Sequence, residues 1–409
     1  MNAFARNTWI LLGLVAAIFL FAWFWAALAP RGVSPEATRY FSSDFIARAR
    51  SYQQSRYLTY GASVGLEIFI LLLLAGTSLG ETLANSIRPW AGGRRVLETF
   101  YLLSLFFAGL ALVNLPLAFY RGYILEHAYA LSNQTAGSWL RDYLLSSAIN
   151  LVLTVPTLTI FYLLLKKVPH YWPWLAAGLY TAGLALLFML SPLVIDPLFY
   201  HFRPVENPQI RQEVLQLAAR AGIPVDEVLE MDASRRTNKV NAYFTGLGQT
   251  KRIVLYDNLL QKYPPDEVAL VLAHEMGHWR AAHIWKGLLL GGLGTLFSLL
   301  VLQRVLAGMK GYPSLSPEPK PASLFLILLF FALWLFISQP LQNAVSRAFE
   351  READATALSL TGDRTGQVAL EKRLAEHNLA DVDPHPFIKW FAFTHPSALE
   401  RIEAAENFR

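Results

Sequence analysis

The chain has 409 residues, of which 54% are hydrophobic and only 16% are charged. This composition excludes an ordinary water-soluble multidomain protein and indicates that much of the surface faces lipid. The formal net charge is +5, but no dense basic run carries interleaved aromatic residues, so we expect no nucleic-acid partner. Cysteine is absent, which excludes a disulfide framework, a thiolate nucleophile and any cysteine ligand for a metal.

Seven segments are long and apolar enough to cross a bilayer, because a spanning helix needs about 20 mostly apolar residues. The first segment ends in Ala27-Leu28-Ala29, which is typical of a signal-peptide cleavage site. Its apolar run is long and only Arg6 precedes it, which favours an uncleaved membrane anchor. We therefore predict a polytopic α-helical membrane protein with spans over residues 9–29, 60–80, 100–120, 146–165, 172–193, 287–307 and 323–341.

These spans divide the chain into four regions. Residues 1–195 hold spans one to five with short loops, and residues 286–341 hold spans six and seven. The polar block 196–285 is the predicted catalytic domain, and residues 342–409 form a helical tail. Because spans six and seven make a hairpin, the block before them and the tail after them lie on the same membrane face. We therefore expect both polar regions to contribute to one site.

The orientation of this face is nearly balanced, because the short loops on the two sides carry similar numbers of Lys and Arg. Basic residues that flank the spans on the catalytic side shift the balance toward the cytoplasm. We expect an integral protein of a bacterial inner membrane, in direct contact with the lipid bilayer. The flanking residues are Arg203, Arg280, Lys286, Arg347 and Arg351.

Local patterns predict the elements of the catalytic block. Helical spacing of apolar residues indicates a helix over residues 207–221, and residues 223–231 suggest a loop and a short strand. The β-prone runs 242–245 and 252–256, which are separated by glycines, predict a β-hairpin. Pro265 with the following acids opens a helix that continues to residue 279. That helix carries the run HEMGH.

HEMGH is the strongest chemical signal in the sequence. His274 and His278 are four residues apart on a predicted helix, so their side chains point the same way and suit one Zn²⁺. Zinc lowers the pKa of coordinated water to about 7, and Glu275 then takes its proton as a carbonyl is attacked. Its position next to a membrane span argues against a chance pattern.

A catalytic zinc requires a third protein ligand and an open position for water. The continuation expected of a metzincin is missing, since Ala281 and Ile284 stand where Gly and His are required. On a continued helix, His283 lies about 140° around from His278, off the ligand face. We therefore expect His283 to be an interfacial or surface residue.

Three acids follow span seven and are candidates for the third ligand. Of Glu350, Glu352 and Asp354, the first and the last share a helix face. Glu350 can ligate the metal while Asp354 accepts the free ring N–H of a ligating histidine. Spacing alone does not favour this interpretation over the alternative, in which the three acids form a solvated, charged start of a helix.

Several further motifs accompany HEMGH: NQT at residues 133–135, SPLVIDPLFYHF after span five, NAYFTG at 241–246, FEREAD, and THPSALERI near the end. Together they resemble the Ste24 family of CAAX prenyl proteases, membrane members of the M48 metallopeptidases. The resemblance implies seven transmembrane helices around a large water-filled chamber, closed by a mostly helical zincin-like domain with a short β-hairpin. Glu67 and Glu98 then either line that chamber or lie at the interface.

The resemblance also assigns roles to individual residues. It implies that Glu350 is the third zinc ligand and that Asp354 is the acid that supports a ligating histidine. It further places His395 and Arg401 at the active site, near the reacting carbonyl. One zinc per chain is implied.

The same resemblance implies a substrate-binding edge strand. This strand holds the substrate in extended form by β-augmentation, although an ordinary hairpin strand is the alternative. Residues 237–240 and the Arg351-Glu352 pair depart from the family pattern and leave the substrate preference open. The strand consists of Asn241, Ala242, Tyr243, Phe244 and Thr245.

The leading hypothesis is a zinc metalloendopeptidase that acts on peptides or membrane-associated proteins, possibly prenylated, and works as a monomer. Cleavage of a C-terminal CAAX tripeptide and quality control of membrane proteins are both open. The alternative is a catalytically idle, zinc-containing membrane chaperone or scaffold, but retention of Glu275, which is not a ligand, argues against it. A seven-span transporter is disfavoured because HExxH is an unusual insertion for one.

Overall fold

The computed structural model describes residues 1–222, 228–246, 252–309 and 320–408. Within these ranges, 7 helices are long and apolar enough to cross a membrane, and each overlaps one predicted span. Most of the proline-rich connection at residues 313–321, the loop at 223–224 and the hairpin turn lie outside the described residues. The 7 spans are Ala3–Leu28, Ser43–Gly76, Arg95–Ala128, Ala136–Lys167, Trp172–Phe199, His283–Gly308 and Ser323–Thr361.

The helices of the membrane region precede a small mixed domain and a helical tail. A π-helical turn at Tyr120–Ile124 lies within the third spanning segment, Arg95–Ala128. In chain order the elements are α1 (Ala3–Leu28), α2 (Pro35–Tyr40), α3 (Ser43–Gly76), α4 (Leu79–Ile87), α5 (Arg95–Phe119), α6 (Leu125–Ala128), α7 (Ala136–Lys167), α8 (Trp172–Val194), α9 (Asp196–Phe199), β1 (Phe202–Pro204), α10 (Pro208–Ala221), β2 (Val228–Met231), β3 (Ala242–Thr245), β4 (Arg252–Tyr256), α11 (Asp257–Lys262), α12 (Pro265–Arg280), α13 (His283–Gly308), α14 (Ser323–Thr361), α15 (Arg364–His377), α16 (Pro386–Ala392) and α17 (Ala398–Glu406).

The spanning helices close into a ring. α3 contacts α5, α5 contacts α7, α7 contacts α8, and α8 contacts α13. Both α1 and α14 contact α3 and α13, which completes the circle. The apolar windows of the spans are only 6% to 44% buried, because their outer faces are free for lipid and their inner faces border the space within the ring. Of the two intramembrane acids, Glu98 is buried and Glu67 is half-buried.

The segment before span two, residues 30–59, holds the short helix α2 and the polar N-terminal part of α3. α3 begins at Ser43, where the Ser42 side chain caps the helix by accepting the Phe45 N–H, and it runs into the span without a break. This polar extension and the residues before it bind the C-terminal tail: the Arg31 guanidinium donates to the Asp383 carbonyl at 2.9 Å. The segment therefore fastens the tail to the membrane region.

The catalytic block contains a four-stranded sheet with strand order β1-β2-β4-β3. The predicted strands β3 and β4 pair antiparallel, with Tyr243 opposite Val254. The sheet is larger than the predicted hairpin, because β2 adds parallel to β4 and β1 adds antiparallel to β2. The far edge of β3 faces α12, which places an edge strand beside the helix that carries HEMGH.

Two helices, α12 and α14, carry the three predicted metal ligands. α12 begins with Pro265 in its first turn and acids near its N-terminus, as predicted, and ends at Arg280. α14 is a single helix of 39 residues that passes through Pro340 and carries span seven directly into the FEREAD run. These two helices pack against each other along the membrane edge, so the predicted meeting of the two polar regions is observed.

Candidate metal centre

Three side chains from α12 and α14 converge on one point. One ligand atom from each of His274, His278 and Glu350 lies within 4.8 Å of the other two. His274 and His278 lie one turn apart on α12, and α14 brings Glu350 against them. The helices approach this closely because Gly277 has no side chain: a Cβ there would lie 2.8 Å from the Cα of Ala353.

The separations within this cluster suit a tetrahedral metal. The two Nε2 atoms of His274 and His278 are 3.1 Å apart, and the carboxylate oxygens of Glu350 lie 3.2 and 3.5 Å from them. Ligand bonds of about 2.0–2.2 Å in a tetrahedron separate neighbouring ligand atoms by about 3.3–3.6 Å. Two nitrogens and one oxygen are also a donor set typical of catalytic zinc.

Glu350 supplies a second indication of a bound cation. Its Oε2 is buried without a hydrogen-bond partner, although ring nitrogens of His274 and His395 approach to 3.2 and 3.3 Å. A buried carboxylate oxygen in this position is costly unless a positive charge compensates it. Burial alone lowers the pKa of His274, but the carboxylates of Asp354 and Glu350 raise it to about 10. A metal ion would displace that proton when it binds.

Glu275 follows the first histidine and lies next to the edge strand. Its Oε2 accepts the backbone N–H of Phe244 at 3.0 Å, so β3 fixes the orientation of the carboxylate. Burial raises the pKa of Glu275, while the imidazoles of His274 and His278 act in the opposite direction. A carboxylate with a raised pKa is suited to accept and return a proton near neutral pH.

A buried charge network supports His274 from the side that faces away from Glu350. The Nδ1 of His274 lies 2.8 Å from Asp354, so the two residues are in contact, and the supporting role of this acid stays a prediction. Arg401 donates from Nε to Asp354 at 2.9 Å and reaches Glu371 from Nη1 at 3.0 Å. Glu371 in turn accepts a hydrogen bond from Gln367 at 2.8 Å. The structure thus holds Arg401 against two acids, on the Nδ1 side of His274.

His283 occupies a different place from the predicted one. It is buried rather than at the surface, and its Nδ1 lies 2.8 Å from the Nδ1 of His278. The prediction assumed that the helix continues past Arg280, whereas α12 ends there and Ala282 adopts a left-handed conformation with φ of +54°. This turn brings His283 back toward the preceding helix.

The remaining predicted residues surround the cluster. His395 is exposed and lies within 3.3 Å of Glu350, which brings the THPSALERI motif to the site. The backbone oxygen of Asn241 accepts the Tyr256 N–H at 3.1 Å, so Asn241 extends the β3–β4 pairing by one residue. Within β3, Ala242 is buried while Tyr243, Phe244 and Thr245 are half-buried. The predicted contact of Arg401 with the reacting carbonyl stays a prediction.

Sequence reasoning missed Glu371 and misplaced His283. Glu371 lies in α15 among charged residues and looks like a solvated side chain, yet it is 3% exposed. Its one sequence signal was Gln367, four residues earlier on the same helix face. His283 was visible as a histidine close to HEMGH, but its direction depended on a helix end that neither Gly nor Pro marks.

Two family models match this chain, and related proteins align with most of it. Residues 204–409 match the model of peptidase family M48, and residues 26–201 match the model described as CAAX prenyl protease N-terminal, five membrane helices. The uncharacterized metalloprotease YhfN of Bacillus subtilis is 34% identical and aligns over 93% of this chain and 89% of its own length. CAAX prenyl protease 1 of Saccharomyces cerevisiae is 29% identical, covering 74% of this chain and 72% of that protein.

A solved structure supports the fold. The crystal structure of Ste24p from S. mikatae superposes with a TM-score of 0.86 at 23% sequence identity, over 99% of this chain and 100% of that chain. This likeness confirms the predicted fold class, and the two family matches confirm the predicted family. The chain therefore belongs to peptidase family M48 and is a multi-span membrane metalloprotease.

Proposed function

We propose that the protein hydrolyses peptide bonds with one zinc ion per chain, held by His274, His278 and Glu350. The observation that carries the proposal is the triangle of ligand atoms, whose sides match a tetrahedral zinc site, with the non-ligand Glu275 beside it. An idle zinc scaffold has no use for an oriented, half-buried carboxylate at this position. The geometry therefore favours the enzyme over the chaperone alternative.

Zinc bound by these residues would lower the pKa of a water molecule to about 7. Glu275 then accepts a proton from the attacking water and delivers it to the nitrogen of the leaving amine. Because the Phe244 N–H holds its Oε2, we assign the proton transfer to Oε1. Asp354 keeps the Nδ1 of His274 protonated and its Nε2 free for the metal.

We propose that the substrate adds to the free edge of β3, along residues 241–245. β4 covers one edge of this strand, and the other edge faces α12, where Glu275 contacts Phe244. An extended peptide on this edge lies next to the general base and is held mainly by main-chain hydrogen bonds. Side-chain preference is then set by residues around the strand rather than by the strand itself.

We propose different roles for His395 and Arg401. His395 is exposed beside Glu350, so it is free to contact the carbonyl that is being attacked. Arg401 is held by Asp354 and Glu371, and a contact with the substrate carbonyl requires one of its donors to turn from these acids. Loss of His395 should therefore reduce turnover with little effect on metal binding.

The substrates we propose are peptide segments of membrane-associated proteins. CAAX prenyl protease 1 of Saccharomyces cerevisiae is a relative over most of the chain, which supports a prenylated C-terminal segment as one substrate. Damaged membrane proteins are the other class. We place the enzyme in a bacterial inner membrane as a monomer, with residues 196–285 and 342–409 forming the catalytic region on the cytoplasmic face.

The decisive experiment compares the purified wild-type chain with Glu275→Gln. Wild-type protein should contain about one zinc per chain and cleave a flexible or farnesylated reporter peptide. The variant should keep the zinc and lose turnover, because Gln preserves the shape of the side chain but cannot accept the proton. Cleavage that continues both in the variant and in the presence of phenanthroline would refute the mechanism.

A further inference from the structure

We propose that His283 is a positioning residue for the metal ligand His278, and that the half-exposed Glu352 anchors it. The Nδ1 atoms of His278 and His283 are 2.8 Å apart, and the Nε2 of His283 lies 3.0 Å from Oε2 of Glu352. His278 is thereby connected through one imidazole to a carboxylate. This inference rests on the proposed zinc site.

The protons in the series of contacts from His278 through His283 to Glu352 can be placed in one consistent way. Nε2 of His278 faces Glu350 and the other ligand histidine, so it needs its lone pair for the metal and the proton must sit on Nδ1. That N–H donates to Nδ1 of His283, which requires the proton of His283 on Nε2, where it is donated to Glu352. Each N–H in this series of hydrogen bonds then has an acceptor.

The fold holds His283 firmly in this place. The side chain is buried, and its ring stacks on Phe349 of α14 with centroids 4.3 Å apart and planes inclined by 10°. The left-handed Ala282 breaks the helix immediately before it, which lets a residue five positions after His278 return to that ring. Glu352 is further paired with Lys286 at 3.3 Å, so its charge is partly balanced.

The two ligand histidines therefore have separate supports. His274 is oriented by Asp354 and Arg401, whereas His278 is oriented by a neutral imidazole backed by a carboxylate. Outer partners of this kind fix the tautomer and ring orientation, and their loss typically weakens metal affinity by about 10- to 100-fold. His283 should contribute within that range without touching either metal or substrate.

The test measures zinc affinity of the full-length protein in detergent, by competition with a chelator that reports free zinc. His283→Leu should weaken zinc binding by about 10- to 100-fold. His283→Asn should recover much of the loss, because the amide oxygen can accept the His278 N–H where Nδ1 did. Glu352→Ala, at a half-exposed side chain, should weaken binding by a smaller factor. The matched control is His377→Leu, which removes a histidine that contacts Tyr263 and should leave zinc affinity unchanged.

Cobalt substitution gives a second measurement, the visible absorption spectrum of the bound metal, which general destabilisation of the fold does not change in the same way. The visible absorption bands of the Co²⁺-loaded protein should shift in His283→Leu and return toward the wild-type spectrum in His283→Asn. Wild-type zinc affinity in both His283→Leu and Glu352→Ala would overturn the inference, as would an unchanged cobalt spectrum. If His283→Leu does not fold, wild-type zinc affinity together with an unchanged cobalt spectrum in Glu352→Ala overturns the inference. Absence of zinc from the wild-type chain would instead refute the proposed function.

Discussion

Gly277 lies between His274 and His278, the two proposed metal ligands of α12, at the closest approach of α12 to α14. In Gly277→Ala the new Cβ would lie 2.8 Å from the Cα of Ala353 and 2.9 Å from its carbonyl oxygen. Carbon–carbon contacts settle at about 3.5–4.0 Å, so α12 and α14 must move apart by about 0.7 Å. Metal–ligand distances tolerate about 0.2 Å. We therefore expect the substitution to separate Glu350 from the two histidines.

The size of the effect follows from the strain. Overpacking of this kind costs about 1–3 kcal/mol, and zinc must work against that strain because it holds the two helices together. Zinc affinity should fall by about 5- to 150-fold, since each 1.4 kcal/mol is about a tenfold change. Competition with a chelator measures this directly, and cleavage of a reporter peptide at limiting zinc should fall in parallel.

A matched glycine serves as the control. Gly287 lies in α13, and a Cβ built there meets no atom within 4 Å. Gly287→Ala should bind zinc as the wild type does and gain up to about 1 kcal/mol from helix propensity. Wild-type zinc affinity in Gly277→Ala would show that the helix spacing does not control the site, and the packing argument would then be wrong.

Two further substitutions test the site. Glu350→Ala should reduce zinc content to near zero, because only two protein ligands remain on α12; undiminished zinc measured by atomic absorption would remove Glu350 as a ligand. Arg401→Met should destabilise the protein by about 3–5 kcal/mol, because it leaves the buried carboxylates of Asp354 and Glu371 without their cation. Adding Glu371→Gln should restore part of that loss in thermal unfolding, and a double variant less stable than Arg401→Met would contradict the shared-cation explanation.

The membrane spans and the convergence of the proposed metal ligands were predictable, because most of them follow from short-range rules. Spans depend on a local run of apolar residues about as long as the bilayer is thick, and all 7 predicted spans overlap observed ones. His274 and His278 depend only on helix geometry. Glu350 and Asp354 required more: their shared face came from spacing, but the choice among the three acids came from family resemblance.

The parts that escaped prediction depend on long-range contacts or on one unusual residue. β2 lies within residues 223–231, where a short strand was expected. β1 was not predicted, and the pairing of β2 with β1 and β4 joins strands that lie far apart in sequence, so periodicity gives little warning of it. The position of His283 depends on Ala282, whose left-handed backbone is uncommon for a residue with a Cβ. Glu371 is buried and paired with Arg401, which reaches it from a later helix.

The continuity of α14 links span seven rigidly to the proposed metal centre. A helix of 39 residues is about 58 Å long at 1.5 Å per residue, and Glu350 lies about 14 Å along its axis beyond residue 341. The carboxylate proposed as a metal ligand is thus held at a fixed distance from the apolar part of the same helix. For the membrane-associated substrates proposed above, this rigid link would favour bonds that lie at a matching distance from the substrate's own membrane anchor, so the length of that tether would contribute to selection.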